Sequence, residues 1–430
     1  MEKKFFKRYP LGNPTRFWRQ DRFIISTFSI GGATENIRLS LETLKAANFN
    51  LVEFGWLQSK YCDPVIATAE EVGVDVLVQN FEYFGGFQYS RATQPDPQAL
   101  AAYIEKLKKY RHVYGFYIWD EPYKPQDLVY AALQTNQIEA LDPSRMPFTV
   151  AIPSYNDTYT YANGQFDDYL TRFVEQINPP VMSLDFYPFA THPNNFTQLD
   201  NCNVYKDLYL MRKLAAGKQM PLWFYYQGTP NLSDPNGMGC TLTPWQMDEQ
   251  VGLALLYGAK GIQNFTAVGA VVNPDGTPAD YFDHTKKINS RLTNWGRTLM
   301  ALTSTGVFHS DDVLREDPDF RARYCDDFAE SALFAGELGV RISAGEFIDE
   351  YGHRYFMVLN RDYCKKQTAK LTFRSAQRVY EVSDADGSQA LFCDMTDGLE
   401  IDLKPGQARL FRAQDPAEAA YTVDYILSKD

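Results

Sequence analysis

The sequence predicts an α/β fold: a (β/α)8 TIM barrel over residues 20–303, followed by a small C-terminal all-β sandwich domain over residues 304–430. Three observations lead there. Eight short apolar runs alternate with stretches of helical apolar spacing. Asp or Thr followed by Pro repeatedly marks helix starts, and Gly falls where helices should stop. After residue 304 the texture changes to short strand-like runs separated by turn residues.

The candidate barrel strands are residues 23–29, 51–55, 74–80, 113–121, 147–153, 181–188, 221–228 and 261–267. Between them the spacing turns helical, as in Ile37/Leu41/Leu44, Leu100/Ile104/Leu107 and Ile288/Leu292/Trp295/Leu299. Asp63-Pro64, Asp96-Pro97 and Thr243-Pro244 read as an N-cap with proline at the first helical position, and Gly73, Gly217 and Gly258 as helix stops. A doubly wound open sheet would also alternate, but no first strand here ends in a dinucleotide-type glycine loop. In the tail, residues 354–360, 368–374, 379–382, 399–403 and 407–412 are the candidate strands.

Composition narrows the function. Forty-two Lys and Arg against 54 Asp and Glu give a net charge of −12, which argues against a nucleic-acid partner or an anionic membrane surface. The six Cys are far apart and the five His form no closely spaced pair, so neither a metal site nor a disulfide framework is expected, and no cofactor motif appears. Residues 1–8 carry basic side chains without the apolar run of a signal peptide, and no stretch approaches the ~20 apolar residues of a membrane span. A cytoplasmic protein, or an exported one already trimmed, fits equally.

Barrel chemistry sits at the C-terminal ends of the strands, and alternation says which residues face inward there. In strand four, parity puts Gly115, Tyr117, Trp119 and Glu121 on one face, with Asp120 beside them. Strand six offers Ser183, Asp185 and Tyr187; strand seven offers Trp223, Tyr225 and Gln227. Strand two contributes Glu53 with Trp56 just beyond it, strand three Gln79 followed by Glu82, and strand eight Gln263 or Asn264, of which Asn264 is the candidate. A barrel filled only for stability has no need of carboxylates, amides and rings at these ends. Such a mouth suits a sugar: rings stack on pyranose faces, polar groups bind hydroxyls, and a carboxylic acid protonates the departing oxygen.

Gly115-Phe116-Tyr117-Ile118-Trp119-Asp120-Glu121-Pro122 resembles the fourth-strand motif of the clan A glycoside hydrolases, where Asn-Glu-Pro carries the acid/base glutamate. Residues 183–188 (SLDFYP), 254–262 (ALLYGAKGI) and 304–306 (STG) are similar to barrel enzymes related to glycoside hydrolase family 42, the β-galactosidase type. The resemblance spans the barrel and implies an O-glycosidase with Glu121 as general acid/base and a carbohydrate substrate. Two departures stand out. Asp120 replaces the usual Asn, and Tyr225-Tyr226-Gln227-Gly228 stands where the clan keeps its strand-seven nucleophile glutamate. Asp185 is the expected second carboxylate, with Glu53 and Glu82 behind it; failing a partner, the chain would be a carbohydrate-binding or degenerate barrel. Asp120-Glu121-Pro122 would also serve as a plain acidic helix start.

Overall fold

The computed structural model describes residues 1–28, 36–55, 57–84, 96–154, 165–191, 199, 203–229, 242–313 and 318–428. An N-terminal strand, β1 (Glu2–Arg8), precedes eight parallel strands: β2 (Ile24–Phe28), β3 (Leu51–Phe54), β4 (Asp75–Val78), β5 (Val113–Asp120), β6 (Met146–Val150), β7 (Met182–Asp185), β8 (Leu222–Gln227) and β9 (Gly261–Phe265). Their hydrogen-bonded order is β6-β5-β4-β3-β2-β9-β8-β7. A single bridge, Ala151 to Leu184, closes the ring, with the Ala151 amide donating to the Ser183 carbonyl at 2.9 Å. Each expected barrel strand contains one of these eight or overlaps it.

The helices start largely where the sequence says. Thr243 and Gln246 cap each other reciprocally ahead of the helix Pro244–Leu256, and the Asp96 side chain accepts from the Gln98 amide at 2.9 Å ahead of Pro97–Leu107. Two expectations are corrected. Helix Ser59–Val72 begins four residues before Asp63, so Pro64 lies inside it rather than at its start. Gly217 lies within Val204–Lys218, and Gln219 takes the left-handed position after it at φ 55°.

The lumen is packed in layers. Trp223, Ile24, Leu51, Leu77, Tyr117, Met146 and Phe148 belong to one buried cluster inside the ring, while Phe116, Ile118 and Tyr226 join the larger core between strands and helices. Gly115 is required at this level: a Cβ there would lie 2.2 Å from the Met146 carbonyl oxygen, a backbone atom that cannot step aside. Gly115→Ala should therefore cost about 1–3 kcal/mol of stability, read as a fall in the denaturant midpoint at unchanged m-value.

Beyond the barrel come β10 (Thr303–His309), β11 (Phe334–Gly336), β12 (Ile342–Ile348), β13 (Arg354–Asn360), β14 (Gln367–Val382), β15 (Gln389–Leu403), β16 (Ala408–Gln414) and β17 (Tyr421–Leu427). Seven of them form one antiparallel sheet, ordered β10-β12-β13-β16-β14-β11 with β15 on β14, and β17 pairs in parallel with β1. The runs expected at 368–374 and 379–382 are one long strand, bent by register shifts between Thr372 and Tyr380. The sheet covers helix Pro244–Leu256, which is buried from Gln246 to Leu256; at Gly252 a Cβ would meet Leu359 Cδ1 at 2.6 Å. Trp295 ties the next helix on by donating to the Val382 carbonyl at 3.1 Å. No described helix is long and apolar enough to cross a membrane.

Candidate active site

The end of β5 does not keep strict alternation. Tyr117 pairs with Phe148 and Trp119 with Thr149, so Ile118 is an extra residue on this strand. A bulge of this kind reverses parity beyond it. Tyr117 stays in the lumen, whereas Trp119 turns out to the helix side, where its ring stacks on Tyr130 with centroids 6.5 Å apart. Asp120 comes inward instead, and the Tyr117 hydroxyl donates to its Oδ1 at 3.0 Å. Trp119 is therefore a core residue and offers no stacking platform. Glu121 follows at φ 52°, a left-handed conformation uncommon outside glycine and often found where backbone strain serves function. The Tyr169 hydroxyl holds the turn by donating to the Pro122 carbonyl at 3.0 Å.

Glu121 and Asp185, from strands four and six, are close enough that each acts on the other's carboxyl. Burial, then the negative charges of Asp185 and Asp120, push the Glu121 carboxyl well above its ordinary value. Burial and Asp120 raise Asp185 to about 7, while hydrogen bonds from Glu121 and Tyr187 pull the other way. Two carboxyls this close cannot both ionise freely, so the pair keeps a proton at a pH where isolated carboxyls have lost theirs. Asp185 Oδ1 has no hydrogen-bond partner among the described residues. Tyr187 packs against Phe265, with centroids 5.2 Å apart.

Beneath this pair lies a second polar group. Glu53 is fully buried and accepts from Ser26, from Gln263 at 2.8 Å and from the Tyr225 hydroxyl. Ser183 donates to Gln263 Oε1 at 2.8 Å, which links strands two, six, seven and eight across the lumen. Burial raises the Glu53 pKa, opposed by its three donors and reinforced by Asp120. Glu53 and Tyr225 are thus a hydrogen-bonded layer below Asp120. Gln79 is fully buried, two residues on from lumen-facing Leu77.

Other candidates fall elsewhere. Trp223 is wholly buried at the lumen floor, its Nε1 donating to Gln20 at 2.9 Å, and Gly261 exists to make room for it. Asn264 faces the helix side, donating to the Tyr226 hydroxyl at 2.7 Å; its neighbour Gln263 is the lumen residue. Glu82 is exposed on the turn after β4, on the side of Cys62. Gln227 is fully buried; its Nε2 donates to the Thr229 carbonyl at 3.2 Å and its Oε1 has no partner among the described residues. Trp56 lies outside the described residues, as does most of the 228–240 loop. Among the described residues no cluster of three His, Cys, Asp or Glu is arranged to hold a metal ion.

Solved structures share this architecture. A GH27 β-L-arabinopyranosidase from Geobacillus stearothermophilus matches with a TM-score of 0.52 over 93% of this chain and 98% of its own, at 10% identity. A β-galactosidase from Rahnella sp. R3 matches with a TM-score of 0.52 over 92% and 98%, also at 10% identity. The chain has their fold. At such identity the likeness is one of barrel and appended β domain, and function must be argued from the site. No protein-family model and no curated protein sequence matches the chain.

Proposed function

We propose that this chain is a glycoside hydrolase acting on an O-glycosidic bond, with Glu121 as general acid/base and Asp185 as the attacking carboxylate. One observation carries the reading: a pair of carboxyls at the strand ends, with Glu121 held well above its ordinary value by burial and by the charges of Asp185 and Asp120. A general acid must be protonated at working pH, and burial beside like charges is the physical means of keeping it so. Asp185, ionised beside it, has the charge to attack an anomeric carbon. Glu121 gives its proton to the departing glycosidic oxygen as the Asp185–C1 bond forms; water then cleaves that bond while Glu121 takes the proton back.

Glu121→Gln should lower turnover of glycosides with poor leaving groups by about 10²–10⁴-fold, and of activated nitrophenyl glycosides far less, because those need little protonation. Equal loss on both, or undiminished turnover by the folded variant, would sink the assignment. A second reading, a sugar-binding barrel without turnover, draws on Gln227 in the strand-seven position, where its amide donates to a backbone carbonyl. Saturable sugar binding with no hydrolysis over long incubation would favour it.

A further inference from the structure

A pocket of about 340 Å³ lies at the end of the barrel opposite the carboxyl pair, at the small end of the range for ligand sites. It opens between the start of β8, the residues just before β9 and the start of β10. One face of the helix Val204–Lys218 forms a wall through Arg212, Ala215 and Ala216. Strand β8 is six residues long, so roughly 20 Å separates this pocket from the C-terminal strand ends. Leu11, Met220, Leu222 and Leu302 give it an apolar lining, and exposed Ala216 and Thr303 mark its mouth.

Two buried cations, Arg212 and Lys260, stand in its wall, and none of its described lining residues is acidic. The Lys260 Nζ donates to the Leu299 and Leu302 carbonyls at the end of helix Phe282–Ala301, so it supplies charge rather than a contact. Burial, then the charge of Arg8, lower its pKa to about 7, and its ammonium form would gain from a neighbouring anion. Arg212 has a contact to give. It is 5% exposed; its Nη2 pairs with Asp326 and its Nη1 donates to Ser304 Oγ at 3.4 Å, but its Nε has no partner among the described residues. Asp326 is shared, since Lys213 reaches it at 3.4 Å and the Val307 amide donates to it at 2.8 Å. A buried N–H without an acceptor is costly, so the missing partner is an acceptor. A carboxylate oxygen answers both the vacant donor and the surplus positive charge. Sugar hydroxyls would find few partners along the apolar lining. We propose that this pocket binds a small carboxylic acid as its anion, with the carboxylate at Arg212 Nε and a hydrocarbon body along the leucines. The proposal does not rest on the glycosidase reading.

The test titrates the full chain calorimetrically with 4-phenylbutyrate and octanoate, against acetate, 4-phenylbutan-1-ol and octylammonium. Each of the two larger carboxylates is expected to bind at least about tenfold tighter than acetate, the alcohol or the ammonium, equivalent to about 1.4 kcal/mol. Arg212→Lys keeps a cation for Asp326 but removes Nε, and should erase the advantage of carboxylate over alcohol. Ala216→Phe fills the mouth from an exposed helix position and leaves Arg212 in place. It should weaken carboxylate and alcohol alike by at least about tenfold. Thermal unfolding shows whether each variant folds, and Ala216→Phe decides alone if Arg212→Lys does not. Carboxylates binding no tighter than the alcohol, or no binding of any probe at millimolar concentration, would overturn the proposal. Carboxylate binding that the folded variants leave unchanged would overturn it too, because the acid would then sit elsewhere.

Discussion

Asp185→Asn should produce a protein that is more stable and almost inactive. The activity loss follows from its proposed role: an amide attacks an anomeric carbon far less readily than a carboxylate, so turnover should fall by at least about 10³-fold. The gain in stability follows from the same environment. Asp185 titrates near 7 in the folded chain against 3.8 ordinarily. Between those values the folded protein keeps a proton that the unfolded chain has released, so stability falls as pH rises through the window and the penalty is complete above about 7. An amide carries no such penalty. Asp185→Asn should be more stable than the parent by about 1–2 kcal/mol at pH 8, with the gap closing toward pH 4–5. Denaturant titrations at the two pH values measure it. A carboxylate held for structure alone would give the opposite sign, because its replacement would leave donors unpaired. The acid limb of kcat/KM should have its midpoint near 7, where Asp185 gains its proton.

The barrel was legible because its signals are redundant. Eight alternations, paired caps and glycine stops each point to the same topology, and errors at single positions such as Pro64 or Gly217 do not propagate. The placement of Glu121 and Asp185 at strand ends, where barrels carry chemistry, was legible for a related reason. The companions of Glu121 were not. Parity over 113–121 assumes one residue per ladder step, and the extra residue Ile118 breaks that assumption without any mark in residue type. Trp119 and Asp120 therefore exchange faces. Gln263 and Asn264 presented another difficulty: two adjacent amides give alternation nothing to decide between, and only the Glu53 carboxylate opposite selects Gln263. For Trp223 parity gave the right face but not the depth, because position along the barrel axis depends on strand tilt. The pairing of β1 with β17 joins residues more than 400 apart, beyond any local pattern.

Glu53 is the position where substitution should damage the fold most. It is wholly buried, and three donors from strands one, seven and eight converge on it: Ser26, Tyr225 and Gln263. Glu53→Ala would leave those donors unpaired in the lumen and open a cavity among them. Unpaired buried polar groups cost ~1–3 kcal/mol each where no other partner can be reached, and breaking such a network costs ~3–5 kcal/mol. Some relief comes from water entering the polar cavity. The expected loss is therefore about 3–5 kcal/mol, enough to endanger folding in a domain with ordinary stability of ~5–15 kcal/mol. Glu53→Gln separates hydrogen bonding from packing. Its carbonyl oxygen can still accept from Ser26 and Gln263, and its amide can donate to the Tyr225 oxygen once that hydroxyl turns elsewhere. The loss should fall to about 1 kcal/mol, and the variant should retain the parent's m-value in urea. If Ala and Gln cost the same, the three donors have partners besides Glu53 and the lumen is not held together by this carboxylate. If Gln is tolerated and Ala is not, Glu53 is the acceptor around which strands one, seven and eight are fixed, and the floor on which Asp120 and the Glu121–Asp185 pair are set.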